Sequence, residues 1–215
     1  TMVTPHQKLL KEITGEALVL DTPYGFQENA DELTQKIQSY FSKNVGRETR
    51  EIRVRDKSAE VNSVINLINK AEWLFTGPGS PTYALDVWQS TGIGDALRNF
   101  LSHGTLVVSS AAALTVGTHT IPVYEMYKVG KDPHWFDGLN LLEIATGLKA
   151  AVVPHFNNAQ GGTHDTRFCY IGERRMKVLE DSLPDDVFVL GIDEHTGVQF
   201  DIDRRSAAVF GKGTM

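Results

Sequence analysis

Three kinds of reactive side chain each follow a short apolar run in this sequence. Ser110 ends the stretch "LVVSS", His155 follows "AAVVP", and Asp193 and Glu194 follow "VLGI". A hydroxyl, an imidazole and a carboxylate are the groups of a serine nucleophile, its general base and the acid that orients the base. If the apolar runs are strands of one sheet, these groups lie at its edge, and the sequence predicts nucleophilic acyl transfer.

A glycine-rich segment, "FTGPGSPTYAL", offers backbone amides for the same chemistry. Gly77 and Gly79 allow a sharp bend that exposes N–H groups, and Pro81 is suited to begin a helix. Amides presented in this way suit an oxyanion. Taken alone, the segment is more typical of an ordinary turn between a strand and a helix.

The serine segment partly matches the nucleophile elbow, G-x-S-x-G, in which a strand turns abruptly into a helix. Here the five positions are Val108, Ser109, Ser110, Ala111 and Ala112, so both glycines are replaced. Serines that cap a buried helix explain the local pattern equally well. A lone histidine after a strand is usually structural, and two acids at a turn are usually solvated.

The intervening segments alternate between apolar runs and helical periodicity, which predicts an α/β fold with a mainly parallel sheet. Reactive groups of such sheets gather at the carboxyl ends of the strands. Strands are expected at 16–22, 50–55, 72–77, 104–110 and 149–156, with three short ones in 187–213. Helices are expected at 29–45, 58–70 with Ser58 as cap, 82–102 with a break near Gly92 and Gly94, and 166–183.

Composition excludes several function classes. The 215 residues carry a net charge of -6, so nothing favours nucleic acid or an anionic membrane as a partner. Cys169 is the one cysteine, which together with the absence of a signal-peptide pattern favours a reducing, cytoplasmic location. His155, His164 and Asp165 have no metal-site spacing. Neither a metal nor a cofactor is therefore expected.

Several segments together resemble the family of serine peptidases that includes alpha-aspartyl dipeptidase (dipeptidase E) and cyanophycinase. "VVPHFNNAQGG" with "GERRM" resembles the family's histidine segment, and "GIDEHTGVQF" its acid segment. "FTGPGSPTYAL" is similar to the family's "GGGNT" loop, and "VVSSAAALTVG" to its "SAGA" elbow. The resemblance covers about residues 71–213. It departs from the family in the elbow glycines and in the asparagine of the glycine-rich loop.

The resemblance implies a fold and a catalytic group. The fold is that of class I glutamine amidotransferases, a flavodoxin-like three-layer arrangement in which the sheet is sandwiched between helices. Ser110 matches the nucleophile, His155 the general base and Glu194 the acid. Asp193 is the alternative acid, because adjacent side chains cannot be told apart from sequence.

The resemblance also implies contacts with the substrate. The backbone amides of Gly79 and Ala111 match the oxyanion hole. Ser80, Asn157 and Arg167 are the expected substrate-binding residues. From their chemistry, Arg167, Arg174 and Arg175 are each suited to a substrate carboxylate, although salt bridges are the more typical use for at least two of them.

The expected function is that of a serine-type peptidase or amide hydrolase that acts on a small peptide-like substrate through an acyl-enzyme. Alternatives are a non-catalytic relative that binds a ligand in the same pocket, and an amidase or esterase. A glutaminase is disfavoured because Ser110 stands where the thiolate is needed. Cys169, on the predicted helix, is expected to be buried.

Residues 1–215 are expected to form one catalytic domain whose first strand precedes residue 1. The sequence leaves open whether the protein is a homodimer.

Overall fold

The computed structural model describes residues 2–215 and divides the chain into two compact units. One unit comprises the chain up to Gly79 together with Tyr83–Ala112. The other comprises Ser80–Thr82 together with Ala113–Met215.

Helices and strands alternate along most of the chain. The helices are α1 (Val3–Lys11), α2 (Ala30–Tyr40), α3 (Asn62–Ile68), α4 (Pro81–Thr91), α5 (Ile93–Phe100), α6 (Ala111–Thr115), α7 (Val123–Tyr127), α8 (Leu141–Thr146) and α9 (Glu173–Glu180). The strands are β1 (Ala17–Leu20), β2 (Arg50–Ile52), β3 (Trp73–Thr76), β4 (Thr105–Val108), β5 (His119–Thr120), β6 (Phe136–Asp137), β7 (Ala150–Val153), β8 (Phe188–Gly191), β9 (Thr196–Asp201) and β10 (Ser206–Gly211). A 3₁₀ turn, Thr22–Tyr24, follows β1, and a π-helical turn, Phe41–Val45, extends α2.

A four-stranded parallel sheet forms the centre of the first unit, with the strand order β2-β1-β3-β4. The strands end in register, because Leu20 pairs with Thr76 and Thr76 pairs with Val108. The loops that follow β1, β3 and β4 therefore leave the same edge of the sheet.

Alternating side chains of this sheet explain why it packs on both faces. Ala17, Val19, Trp73 and Phe75 join a buried cluster with Phe41. The alternate residues Leu18, Leu20 and Leu74 point to the other face and are also fully buried. Strands buried on both faces read as continuous apolar runs, which is why the sequence revealed them.

The second unit contains a parallel pair of strands, β7 and β8, and two antiparallel pairs, β5–β6 and β9–β10. Val153 pairs with Gly191, so β7 and β8 also end in register. The buried cluster beneath them draws on β7, α7, α9 and the loop before α9. Trp135 donates a hydrogen bond from its indole to the Leu179 carbonyl at 3.0 Å, which ties a surface loop to α9.

The predicted α/β class, with parallel strands and helices, is confirmed, and two predicted details are wrong. The helix expected over 166–183 begins only at Glu173, because Phe168, Cys169 and Tyr170 all have positive φ angles. Cys169 thus precedes the helix, although it is buried as expected. Ser58 does not cap α3: the helix begins at Asn62, and the Ser58 hydroxyl donates instead to Asp56.

Helices able to cross a membrane would have to be long and apolar, and none in residues 2–215 meets that description.

Candidate active site

Ser110 lies between the end of β4 and the start of α6, with a φ of 51°. This left-handed backbone is uncommon for a residue with a side chain, and strain of this kind concentrates at functional sites. The preceding residue, Ser109, donates its N–H to the Thr76 carbonyl at 3.1 Å, which continues the pairing of β4 with β3. The chain therefore turns at Ser110 itself, as in a nucleophile elbow.

The three alanines after Ser110 are buried, with 3%, 0% and 6% of their surfaces exposed. Ala112 donates its N–H towards the carbonyls of Gly77 and Ser109, at 3.2 and 3.1 Å. This close approach ties the serine turn to the glycine-rich loop after β3. Ala112 is itself fully buried at this contact.

Gly79 requires glycine for two reasons. Its φ is 141°, and a Cβ added there would lie 1.9 Å from the Pro23 carbonyl oxygen. The loop after β3 thus lies directly against the Thr22–Tyr24 turn. That turn is anchored by Asp21, which is fully buried and accepts hydrogen bonds from the Val54 N–H and the Arg55 side chain. Burial raises the pKa of Asp21 and Arg55 opposes this effect.

His155 follows Pro154 at the end of β7 and has a φ of 52°. Its carbonyl accepts hydrogen bonds from the N–H groups of Asn158 and Cys169, both at 3.2 Å. Backbone pairing with the chain that follows β8 continues on both sides of His155. The Ile192 N–H donates to the Val153 carbonyl, and the Phe156 N–H donates to the Ile192 carbonyl. The imidazole is therefore carried by a backbone bonded on both sides rather than by a loose loop.

Glu194 lies three residues after the end of β8, and its side chain contacts the His155 imidazole. Its Oε1 lies 3.1 Å from His155 Nδ1. Because an ionised carboxylate only accepts hydrogen bonds, the proton of the neutral imidazole resides on Nδ1, and Nε2 is left with its lone pair. The pKa of Glu194 is lowered, first by a hydrogen bond from Asn158 and then by His155. The arrangement suits a base oriented by an acid.

Asp193 faces elsewhere. Its Oδ2 accepts hydrogen bonds from the N–H and hydroxyl of Thr214, at 2.9 and 3.0 Å. Of the two adjacent acids, the one whose carboxylate contacts His155 is Glu194. This distinction lay outside sequence reasoning, because both residues occupy one turn and only the backbone path after β8 decides which side chain turns inward.

Two asparagines hold Glu194. Asn157 accepts the Glu194 N–H at 2.9 Å, and Asn158 donates from Nδ2 to Glu194 Oε1 at 2.6 Å. Asn157 was expected to bind substrate, and here its amide oxygen fixes the backbone of the acid. Asn158 was not predicted at all. The sequence offers only a polar residue three positions after the candidate base, and its complete burial is visible only in the fold.

The other expected substrate-binding residues have partners of their own. Ser80 is buried and shares a hydrogen bond of 3.1 Å with Thr82. Arg167 forms ion pairs with Asp165 and Glu173, both at 2.8 Å. The Arg167 pair lowers the pKa of Asp165. Arg167 therefore needs to exchange a protein carboxylate for a substrate carboxylate if it is to bind one.

A cavity of about 410 Å³ lies in the second unit. Its lining is Tyr127, His164, Asp165, Tyr170, Ile171, Gly172, Glu173, Arg174 and Arg175. The Tyr170 ring also lies against the His155 ring, with 5.8 Å between the centroids. The cavity is thus one aromatic ring away from the candidate base.

The part of the chain that the structure describes contains no group of three or more His, Cys, Asp or Glu side chains placed to hold a metal ion.

Comparisons with known proteins place these observations in a family. The profile of peptidase family S51 matches residues 4–205, nearly the whole chain. A peptidase E from Nostoc sp. (strain PCC 7120 / SAG 25.82 / UTEX 2576) is 28% identical over 184 residues, which cover 85% of this chain and 67% of that protein.

Solved structures agree in fold. A crystal structure of a peptidase from an acI-B1 Actinobacterium matches 98% of this chain and 82% of that chain, with a TM-score of 0.70 and 21% identity. A candidate peptidase E protein from Listeria monocytogenes EGD-e matches 98% of this chain and 93% of its own, with a TM-score of 0.65 and 14% identity. Because the family profile matches nearly the whole chain, the chain belongs to peptidase family S51 and is a serine peptidase.

Proposed function

We propose that this peptidase hydrolyses small peptide-like substrates through an acyl-enzyme, with Ser110 as nucleophile, His155 as general base and Glu194 as the orienting acid. The observation that carries the proposal is the 3.1 Å contact between His155 Nδ1 and Glu194 Oε1. It leaves Nε2 of His155 as the basic nitrogen. The left-handed turn at Ser110 is the second support, because it is the backbone conformation of an elbow.

The proposed reaction has two halves. In the first, Ser110 Oγ attacks the carbonyl carbon of the scissile amide while its proton passes to His155 Nε2. The C–N bond then breaks, and the imidazolium gives that proton to the leaving amine. In the second half, water attacks the ester, His155 takes the water's proton, and the same proton returns to Ser110 as the acid product leaves. Glu194 stays ionised and stabilises the imidazolium.

Two backbone amides, those of Gly79 and Ala111, are the proposed donors to the oxyanion. Removal of one such donor costs about 3–4 kcal/mol of transition-state stabilisation in a peptidase. The support comes from the two loops that carry them, because Ala112 donates to Gly77 and Ser109 donates to Thr76. These bonds fix the two loops together within the first unit.

The proposed substrate is small and peptide-like. The cavity beside Tyr170 has about 410 Å³, which is at the lower end of the range for sites that bind small molecules. Asn157, Ser80 and Arg167 remain the proposed contacts for its polar groups. Neither nucleic acid nor membrane is part of the proposal, and a homodimer is tested by the mass of the protein in solution.

A fluorophosphonate probe tests the proposed nucleophile without knowledge of the substrate. In the labelling step, Ser110 Oγ bonds to phosphorus, fluoride leaves and His155 takes the serine proton. We expect one covalent adduct per chain, located at Ser110 by peptide mass spectrometry. Ser109→Ala is the matched control and should label normally. Absence of an adduct, or an adduct at Ser109, would contradict the assignment.

The identity of the acid is tested by a pair of conservative substitutions. Glu194→Gln removes the charge that stabilises the imidazolium, and we expect the labelling rate to fall about 10²- to 10⁴-fold. Asp193→Asn affects a carboxylate that bonds Thr214, and the expected loss is below about 10-fold. Stopped-flow or time-course labelling measures both rates. Equal losses in the two variants would reject Glu194 as the specific partner of His155.

A further inference from the structure

Asn158 is fully buried, and its side-chain amide is used in two directions. Nδ2 donates to Glu194 Oε1 at 2.6 Å, and Oδ1 accepts the N–H of Gln160 at 3.1 Å. Its backbone carbonyl also accepts the Thr166 hydroxyl at 3.4 Å, which holds the main chain at this position. The side-chain amide, bonded at both its nitrogen and its oxygen, has one orientation, because a flip would place its oxygen against a carboxylate and its NH₂ against an N–H.

The contact from Asn158 converges with that from His155 on one atom. Both Asn158 Nδ2 and His155 Nδ1 lie within hydrogen-bond distance of Glu194 Oε1, at 2.6 and 3.1 Å. A hydrogen bond to an ionised acceptor is roughly twice as strong as one between neutral groups. The Asn158 bond is the shorter of the two and the first cause of the lowered pKa of Glu194. The buried amide therefore determines where Oε1 lies.

We propose that Asn158 is a positioning residue of the peptidase, which acts through Glu194 by fixing the oxygen that accepts the His155 Nδ1 proton. The inference rests on the triad of the proposed function. Without the amide, the Glu194 carboxylate can turn about its χ3 torsion, and the acceptor for Nδ1–H is no longer held in place. The imidazole then loses its orientation and the tautomer that leaves Nε2 basic.

The groups that face Glu194 are known from the structure. Asn158, then His155 and His195, lower its pKa, and burial followed by the Glu194 charge raises the pKa of Tyr170. Asp193, although adjacent, bonds Thr214. Asn158 is the amide donor to this carboxylate, and replacing it with a carboxylate changes the charge directly at Oε1.

The first experiment measures Ser110 labelling by the fluorophosphonate in a double-mutant cycle. Asn158→Ala is expected to slow labelling about 10- to 100-fold, the factor that corresponds to the loss of one hydrogen bond to a charged group. In a Glu194→Ala background the same substitution should change the rate less than about 3-fold, because there is no acid left to position. Equal effects in both backgrounds would overturn the inference.

The second experiment uses Asn158→Asp, which retains the shape and the acceptor for Gln160. Two carboxylates at this distance share a proton, and one of them titrates with a strongly raised pKa. At low pH the shared proton restores a hydrogen bond to Oε1, and at high pH the two charges repel. The labelling rate relative to the wild type should therefore rise at least about 10-fold from pH 8 to pH 5.

Asn140→Asp is the matched control for the pH experiment. Asn140 also donates from Nδ2 to a glutamate, Glu143, at 2.7 Å in the same unit, but its bond lies outside the proposed site. The ratio of the Asn140→Asp labelling rate to the wild-type labelling rate should stay constant with pH. A constant ratio for Asn158→Asp as well would reject the positioning role. If the wild type itself is not labelled at Ser110, the proposed function fails; if it is labelled and slowed by Glu194→Ala, only the role of Asn158 is in question.

Discussion

Replacement of Ser110 by alanine is expected to reduce peptide hydrolysis by at least about 10³-fold, because the attacking oxygen is removed. What remains is the acceleration that the oxyanion hole and substrate binding supply on their own. The fold should tolerate the change, because Ser110 is only partly buried and alanine adds no atoms. The free energy of unfolding should change by less than about 1 kcal/mol. Turnover of a peptide mixture, followed by amine release, measures the activity, and urea unfolding measures the stability.

The control for this prediction is Ser109→Ala in the same turn. Its hydroxyl lies near the glycine-rich loop, 3.3 Å from the position of a Cβ on Gly77. It should retain activity within about 10-fold. Turnover that survives in Ser110→Ala, or that disappears only in Ser109→Ala, would rule out the proposed nucleophile.

Gly79→Ala is expected to damage both stability and activity. The new methyl would lie 1.9 Å from the Pro23 carbonyl oxygen and 2.7 Å from the Tyr24 nitrogen, both of which belong to backbone. Strain and overpacking together should lower the free energy of unfolding by about 2–5 kcal/mol. Since the loop must move to relieve the contact, an oxyanion donor is lost, and the folded protein should turn over about 10²- to 10³-fold more slowly.

Gly92→Ala separates backbone strain from crowding. Gly92 also has a positive φ, 80°, but a Cβ added there meets nothing within 4 Å. The expected loss of stability is about 1–2 kcal/mol, the cost of a left-handed conformation alone, and activity should be retained. Urea unfolding and turnover are measured for both variants. Similar stability losses in the two would contradict the close packing of Gly79 against the Thr22–Tyr24 turn.

In the segment before α9, the helical periodicity of the sequence predicts the wrong local structure. Phe168, Cys169 and Ile171 carry the apolar spacing of a helix, and Cys169 and Ile171 are in fact buried. They are buried by a turn rather than by a helix, because three successive residues adopt left-handed backbone angles. The carbonyls of His155 and Phe156 accept the N–H groups of Cys169 and Phe168, and these bonds outweigh local helix propensity.

The sequence by itself determined the fully buried strands β1, β3 and β7, because residues buried on both faces of a parallel sheet leave continuous apolar runs, and it determined which reactive groups follow the strands. The tertiary structure alone decided how those groups are used. The register of β7 with β8 brings His155 to Glu194, and the path of the turn sends Asp193 to Thr214. The same packing buries Asn158 against the acid. Such choices depend on contacts between residues 21 to 39 positions apart, and short-range patterns do not carry them.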